Sequence, residues 1–219
     1  LHSGVLVVDY LLTLPRELFV QIAPQSLSIT AQDTSIQQGL CKSLKQFNIM
    51  KCIGSRGFSK VYLCETLGQY FAMKVMNKDQ VMRNQKQSIV LNEKAILMKM
   101  NSHPFATKLH YTIETEHTVV FAVEFCAGGE LFNLLKQHRR MKEHQARFYF
   151  LEILSALHEL HSNGIIYRDL KPENIVIDHQ GHVRLADFGL SKFSTDDQHN
   201  ESFCGSAEYM APEMLLRYC

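Results

Sequence analysis

A polar octet, Tyr167-Arg168-Asp169-Leu170-Lys171-Pro172-Glu173-Asn174, is held between two apolar runs, Ile165-Ile166 before it and Ile175-Val176-Ile177 after it. Short apolar runs of this kind read as buried strands, so the octet reads as a loop between them. A further apolar run over 183–186 leads into Asp187-Phe188-Gly189. Upstream the pattern differs. Residues 47–53, 60–65 and 70–77 read as strands joined by Gly-containing turns. Residues 87–100 carry apolar side chains at 89, 90, 96, 97 and 100 with Glu93 among them, which suits a helix with one buried stripe. Strand character returns over 110–113 and 119–124. Gly128-Gly129 then breaks the chain before helices over 130–138 and 146–160. The second has Phe150, Ile153, Leu154, Leu157 and Leu160 at helical spacing and ends at Asn163-Gly164. Strands, then helices, then short strands predict an α+β fold of two lobes, not a repeating β-α array.

The remaining composition narrows the class. The chain has 219 residues, 46% of them apolar, enough for one large domain or two small lobes. A net charge of +1 gives no bulk attraction to nucleic acid or to a membrane surface. The densest basic patch, Lys136-Gln137-His138-Arg139-Arg140, reads as a solvated helix end. Cys41, Cys52, Cys64, Cys126, Cys204 and Cys219 form no Cys-x-x-Cys and no zinc-ligand spacing, so they read as reduced thiols of the cytosol or nucleus. Residues 1–46 form an N-terminal extension. Its apolar stretch over 5–14 is short and interrupted by Asp9, so neither a signal peptide nor a membrane span is expected. Residues 25–39, rich in Gln, Ser and Thr, are expected to be a loop or disordered arm. A start at Leu1 reads as a fragment or a processed terminus.

The octet carries groups suited to moving a phosphoryl group onto a hydroxyl. Asp169 can accept a hydroxyl proton, Lys171 can hold charge on the transferred group, and the Asn174 amide oxygen can help hold Mg²⁺. Asp187, at a strand end beside a glycine, also suits Mg²⁺. Lys74 inside the apolar strand Ala72-Met73-Lys74-Val75 is costly to bury unless paired, and Glu93 is the matching anomaly on its helix. Two misplaced charges of opposite sign point to one buried ion pair; two exposed residues on unrelated faces are the alternative. The turn Ile53-Gly54-Ser55-Arg56-Gly57-Phe58-Ser59-Lys60-Val61 can lay backbone N–H groups over phosphates, although by itself it is an ordinary hairpin.

Taken together, these residues resemble the protein kinases. Their signature set is a Gly-rich loop, a strand lysine, a helix glutamate, an Arg-Asp loop, Asp-Phe-Gly and Ala-Pro-Glu, here in order and ending at Ala211-Pro212-Glu213. The resemblance covers residues 47–219: an N-terminal lobe over about 47–124, a hinge over 124–129 and part of a C-terminal lobe over 130–219. Tyr167, Asn92-Glu93-Lys94, His103-Pro104-Phe105, Gly128-Gly129-Glu130-Leu131-Phe132 and Phe203-Cys204-Gly205-Ser206 resemble the AGC group in particular. The resemblance implies an ATP- and Mg²⁺-dependent serine/threonine kinase acting on proteins near basic residues. It implies that residues 53–61, Ala72, Lys74, Glu93, Glu124 and Cys126 surround ATP, with Val123 behind the hinge. Asp169, Lys171 and Asn174 would be catalytic, and Asn174 and Asp187 would hold Mg²⁺. Ser202 would take an activating phosphate from an upstream kinase, with Arg168 and Lys192 as its partners. Glu130, Glu173 and Ser206 would face the peptide substrate.

The chain departs from that pattern in three places. Arg56 and Ser59 stand where the second and third glycines of the phosphate loop belong, and Gly57 is one place off. Ile89 sits one turn before Glu93, where some relatives have a basic contact to the activating phosphate. The chain stops at Cys219, so the C-terminal lobe is expected to be incomplete. The eroded loop leaves a second reading, a pseudokinase or nucleotide-binding scaffold.

Overall fold

The computed structural model describes residues 43–194 and 204–216. The extension up to residue 42, Ser202 and Phe203 lie outside them.

Five antiparallel strands form the upper lobe: β1 (Asn48–Arg56), β2 (Ser59–Thr66), β3 (Gln69–Asn77), β4 (Leu109–Glu114) and β5 (Thr118–Glu124), in the order β1-β2-β3-β5-β4. Two-residue turns set the first two hairpins. Leu67 and Gly68 both adopt positive φ between Thr66 and Gln69, the signature of a turn whose twist matches the strands. Gly57 takes positive φ between the paired Arg56 and Ser59. Glycine takes that φ without strain, one place away from the phosphate-loop pattern.

A short helix, α1 (Lys78–Arg83), follows β3 and was not anticipated. Asn77 caps it, its side chain accepting from the Gln80 N–H at 3.0 Å. The next helix, α2 (Gln87–Lys99), buries Val90, Glu93, Ile96 and Leu97 against the sheet. Phe47, Phe71 and Tyr111 meet edge to face on the other side of the sheet, with centroids 5.6 to 6.0 Å apart.

The lower part contains α3 (Leu131–His138) and α4 (Glu143–Ser162), with two small sheets. One joins β6 (Gly129–Glu130), β8 (Ile175–Ile177) and β9 (Val183–Leu185), and the other pairs β7 (Ile165–Ile166) with β10 (Lys192–Phe193). α4 begins earlier than its apolar spacing predicts. Its polar first turn is secured by the Gln145 side chain, which accepts from the Lys142 N–H. A final single turn, α5 (Pro212–Leu215), carries Glu213.

One apolar core runs through both lobes, from Met76, Ile96 and Phe121 above to Leu160, Ile165, Leu185 and Phe188 below. Between the lobes the chain passes Gly128. A Cβ there would lie 2.8 Å from both Cβ and the carbonyl oxygen of Ile177, while the Gly128 N–H donates to that same oxygen at 2.8 Å. Only glycine lets the hinge pack this close to β8. Among the described residues no helix is long and apolar enough to cross a membrane.

Candidate active site

A cavity of about 430 Å³ opens between the lobes. Val61, Leu63, Ala72, Val123 and Val176 give it apolar walls. Lys74, Glu93, Asn174 and Asp187 meet at one end, and Glu124 and Cys126 of the hinge line it. Burial pushes the Cys126 thiol up to about 12, so it stays protonated at neutral pH.

The two misplaced charges meet. Lys74 Nζ lies 2.6 Å from Glu93 Oε1 and 3.1 Å from Asp187 Oδ1. Burial alone would lower the Lys74 pKa, but the Glu93 and Asp187 carboxylates outweigh it and hold the ammonium charged. Asp187 titrates below the ordinary carboxylate range. Burial works to raise it, and Lys74, the Gly189 N–H and Arg56 together prevail. Asp187 reaches Lys74 from a positive φ of 53°, a conformation uncommon outside glycine and asparagine-like residues.

Below, the octet is fixed from several directions. Asn174, only 1% exposed, donates from Nδ2 to the Asp169 carbonyl at 2.9 Å and to Asp169 Oδ2 at 2.8 Å. The Ala186 N–H donates to the Asn174 carbonyl at 2.9 Å, which places Asp187 beside this loop. Lys171 Nζ lies 2.8 Å from Asp169 Oδ2 and donates to Ser206 Oγ at 2.8 Å; Ser206 in turn donates to Asp169 Oδ1 at 3.0 Å. Tyr167 is buried edge-on against Phe188 and its hydroxyl donates to the Ala186 carbonyl. Burial lifts its pKa well above that of a free phenol.

The upper wall gives a different result for part of the predicted set. Ile53, Gly54, Ser55, Arg56, Ser59 and Val61 line the cavity. Gly57, Phe58 and Lys60 do not. Gly57 is spent on the turn, Phe58 packs against the apolar core, and Lys60 points away because side chains alternate along β2. Arg56 instead crosses the cleft. Its Nη1 donates to Asn174 Oδ1 at 3.1 Å and lies 4.0 Å from Asp187 Oδ2, and its Nη2 lies 3.9 Å from Glu130 Oε1.

Arg168 and Lys192 fall near one another in the chain's pairing. Lys192 pairs with Ile166 across β7 and β10, and Arg168 Nε donates to the Leu190 carbonyl at 2.7 Å. Glu130 and Glu173 both line the cavity, and Glu173 Oε2 is buried without a hydrogen-bond partner among the described residues.

The supporting roles of Arg184 and Asn92 were missed from the sequence. Arg184 lies 3.2 Å from Glu124 of the hinge and 3.0 Å from Asp178, and donates to the Pro104 carbonyl at 2.6 Å. Asn92 Nδ2 donates to the Ser191 carbonyl at 2.7 Å, tying α2 to the segment after Asp187-Phe188-Gly189.

The donor set fits a magnesium nucleotide. Among the described residues no cluster of three or more His, Cys, Asp or Glu could hold a metal by itself. Asn174 and Asp187 offer two oxygens, which suits Mg²⁺, an ion that keeps waters and phosphate oxygens in its shell. The apolar walls and the charged end match the two halves of a nucleotide.

A catalytic loop facing a lysine–glutamate pair across an interlobe cleft defines a protein kinase. The family model for the protein kinase domain matches residues 47–219, and the chain belongs to that family. Within it the chain falls in the AGC serine/threonine group. It is 44% identical over 174 residues to serine/threonine-protein kinase Sgk2 of Homo sapiens, covering 78% of this chain and 47% of that protein. It is 44% identical over 172 residues to Sgk1 of Fundulus heteroclitus, covering 77% and 40%. Against ribosomal protein S6 kinase alpha-3 of Homo sapiens it is 39% identical over 208 residues, covering 90% and 28%. The chain spans less than half the length of these relatives.

Proposed function

We propose that the protein transfers the γ-phosphoryl group of ATP, with Mg²⁺, to serine or threonine hydroxyls of proteins near basic residues. One observation carries the reading. Asp169 is held at both carboxylate oxygens, by Asn174 and Lys171 on one and Ser206 on the other, below the Lys74–Glu93 pair. Magnesium-bound ATP, when present, would supply the transferable group and a positive charge to offset its phosphates, with Asn174 and Asp187 holding the ion.

The chain's residues have the remaining tasks. Lys74 holds phosphate oxygens, and Glu93 keeps its ammonium aimed into the cleft. Asn174 and Asp187 offer oxygens to the metal. Asp169 orients the incoming hydroxyl and takes its proton, while Lys171 offsets charge on the transferred group. The hinge residues Glu124 and Cys126 border the base. Glu130 and the unpartnered Glu173 oxygen offer negative charge to a basic side chain of the substrate. Ser202 is the proposed target of an upstream kinase, with Arg168 and Lys192 as its phosphate partners.

The test is transfer of labelled γ-phosphate to a basic serine peptide by the full-length protein. Asp169→Asn is expected to lower the rate by about 10²–10⁴ while nucleotide still binds. Ser202→Ala is expected to lower it less. Unchanged transfer by Asp169→Asn would sink the assignment. Nucleotide binding without transfer by the unmutated protein would instead mark a nucleotide-binding scaffold.

A further inference from the structure

One cation in the cleft belongs to the chain itself. Arg56 ends β1, immediately before the Gly57 turn, where a family-pattern glycine would present bare backbone. Its Nη1 lies 3.1 Å from Asn174 Oδ1 and 4.0 Å from Asp187 Oδ2. These are the side chains assigned to the metal. Its other terminal nitrogen lies 3.9 Å from Glu130. Lys74 meanwhile occupies the opposite oxygen of Asp187.

We propose that Arg56 is a built-in counter-cation that competes with the divalent ion for Asn174 and Asp187, and so makes nucleotide binding less dependent on metal. The inference rests on reading the cleft as a magnesium-nucleotide site.

A guanidinium remains charged throughout the physiological range and seeks oxygen acceptors. Mg²⁺ demands near-octahedral oxygens at about 2.0–2.1 Å. A guanidinium and a divalent ion drawn to the same Asn174 and Asp187 oxygens repel each other at that range. Binding the metal therefore works against the Arg56 contacts, and their loss weakens the metal-bound complex. Without metal, the same guanidinium supplies positive charge to the phosphate end of the cleft. The side chain is 53% exposed, on a long arm at the tip of an edge hairpin, so it can leave without disturbing the core.

Two binding constants measured on each protein test the competition. A fluorescent ATP analogue is titrated into the full-length protein, once with a metal chelator and once with saturating Mg²⁺. The readout is the ratio of the metal-free to the metal-saturated Kd. Arg56→Gly is expected to raise that ratio about tenfold, on the scale of one charge-assisted contact. Metal-free binding weakens, and metal-bound binding tightens modestly. Arg56→Lys, which keeps the charge but not the planar fork, should fall between. A general loosening of the hairpin changes both constants by one factor and cancels in the ratio, so an unchanged ratio overturns the proposal. So does a larger loss in the magnesium arm than in the chelator arm. If the unmutated protein binds the analogue in neither arm, the nucleotide-site reading itself fails, and the inference falls with it.

Discussion

The two walls of the cleft are built in opposite ways. The upper wall is an edge hairpin. β1 is exposed along its whole length except at Gly54, and it pairs with one neighbour only. The lower wall is enclosed: Tyr167 is 2% exposed, Asp169 9% and Asn174 1%, each with hydrogen bonds inside the fold. Elements with few buried contacts open at low free energy, whereas buried polar networks are rigid when every member is satisfied. The difference assigns positional accuracy to the lower wall and adaptability to the upper one. It also explains how the upper wall accommodates Arg56 in place of glycine. A substitution that disrupts phosphate-loop geometry is tolerated on a strand that carries little of the core.

The comparison can be broken most directly at Asn174. Asn174→Ala removes the two Nδ2 hydrogen bonds to the Asp169 carbonyl and Oδ2 and takes from the buried carbonyl its Asn174 donor, which should cost on the order of 2 kcal/mol in chemical unfolding. A loss no larger than that of an exposed β1 residue would erase the distinction between the walls.

Acid sharpens it next. Asp178 titrates below the usual carboxylate range: burial works to raise it, but the N–H groups of His182 and Gln180 and the Arg184 guanidinium lower it further. A depressed folded-state pKa contributes stability above the unfolded value, and that stability is lost as pH falls through the folded value. The stability advantage of the unmutated protein over Asp178→Asn should therefore be full at neutral pH. It should shrink below about pH 4, the ordinary aspartate value. Urea unfolding across that range measures it, and an advantage that grew on acidification would contradict the assigned partners.

The smallest effect is expected on β1. Ile49 is 54% exposed, and Ile49→Ala should change stability by no more than about 0.5 kcal/mol. A larger loss would mean that the edge hairpin belongs to the rigid part of the fold.

Much of the lower wall was legible because its chemistry is contiguous in the chain. The octet and Asp187-Phe188-Gly189 each carry their own flanking strands. The Lys74–Glu93 pair was legible for another reason: each charge violates the apolar pattern of its own element. Glu124, Asp178 and Asn92 violate nothing locally, and Arg184, a charge inside the run over 183–186, has no matching anomaly that marks its partners. Their partners are assembled by strand order and by the packing of α2 on the core, neither of which sequence periodicity encodes. The α1 helix lacks an apolar stripe long enough to register, and its clearest local signal was the Asn77 cap. Gly57, Phe58 and Lys60 do not line the cavity because the first two form the turn between Arg56 and Ser59 and the third faces away along β2, a distinction the loop pattern does not carry.

The hydrogen bonds on Asp169 bear on how a substrate could approach. A carboxylate offers roughly four lone-pair directions. Among the described residues, Asn174 and Lys171 occupy Oδ2, and Ser206 occupies one side of Oδ1. On the proposed reading, an incoming hydroxyl meets a base with a single vacancy, and its direction of approach is decided by elimination. Stereochemical choice would then reside less in what the loop offers to a substrate than in the directions it has already closed.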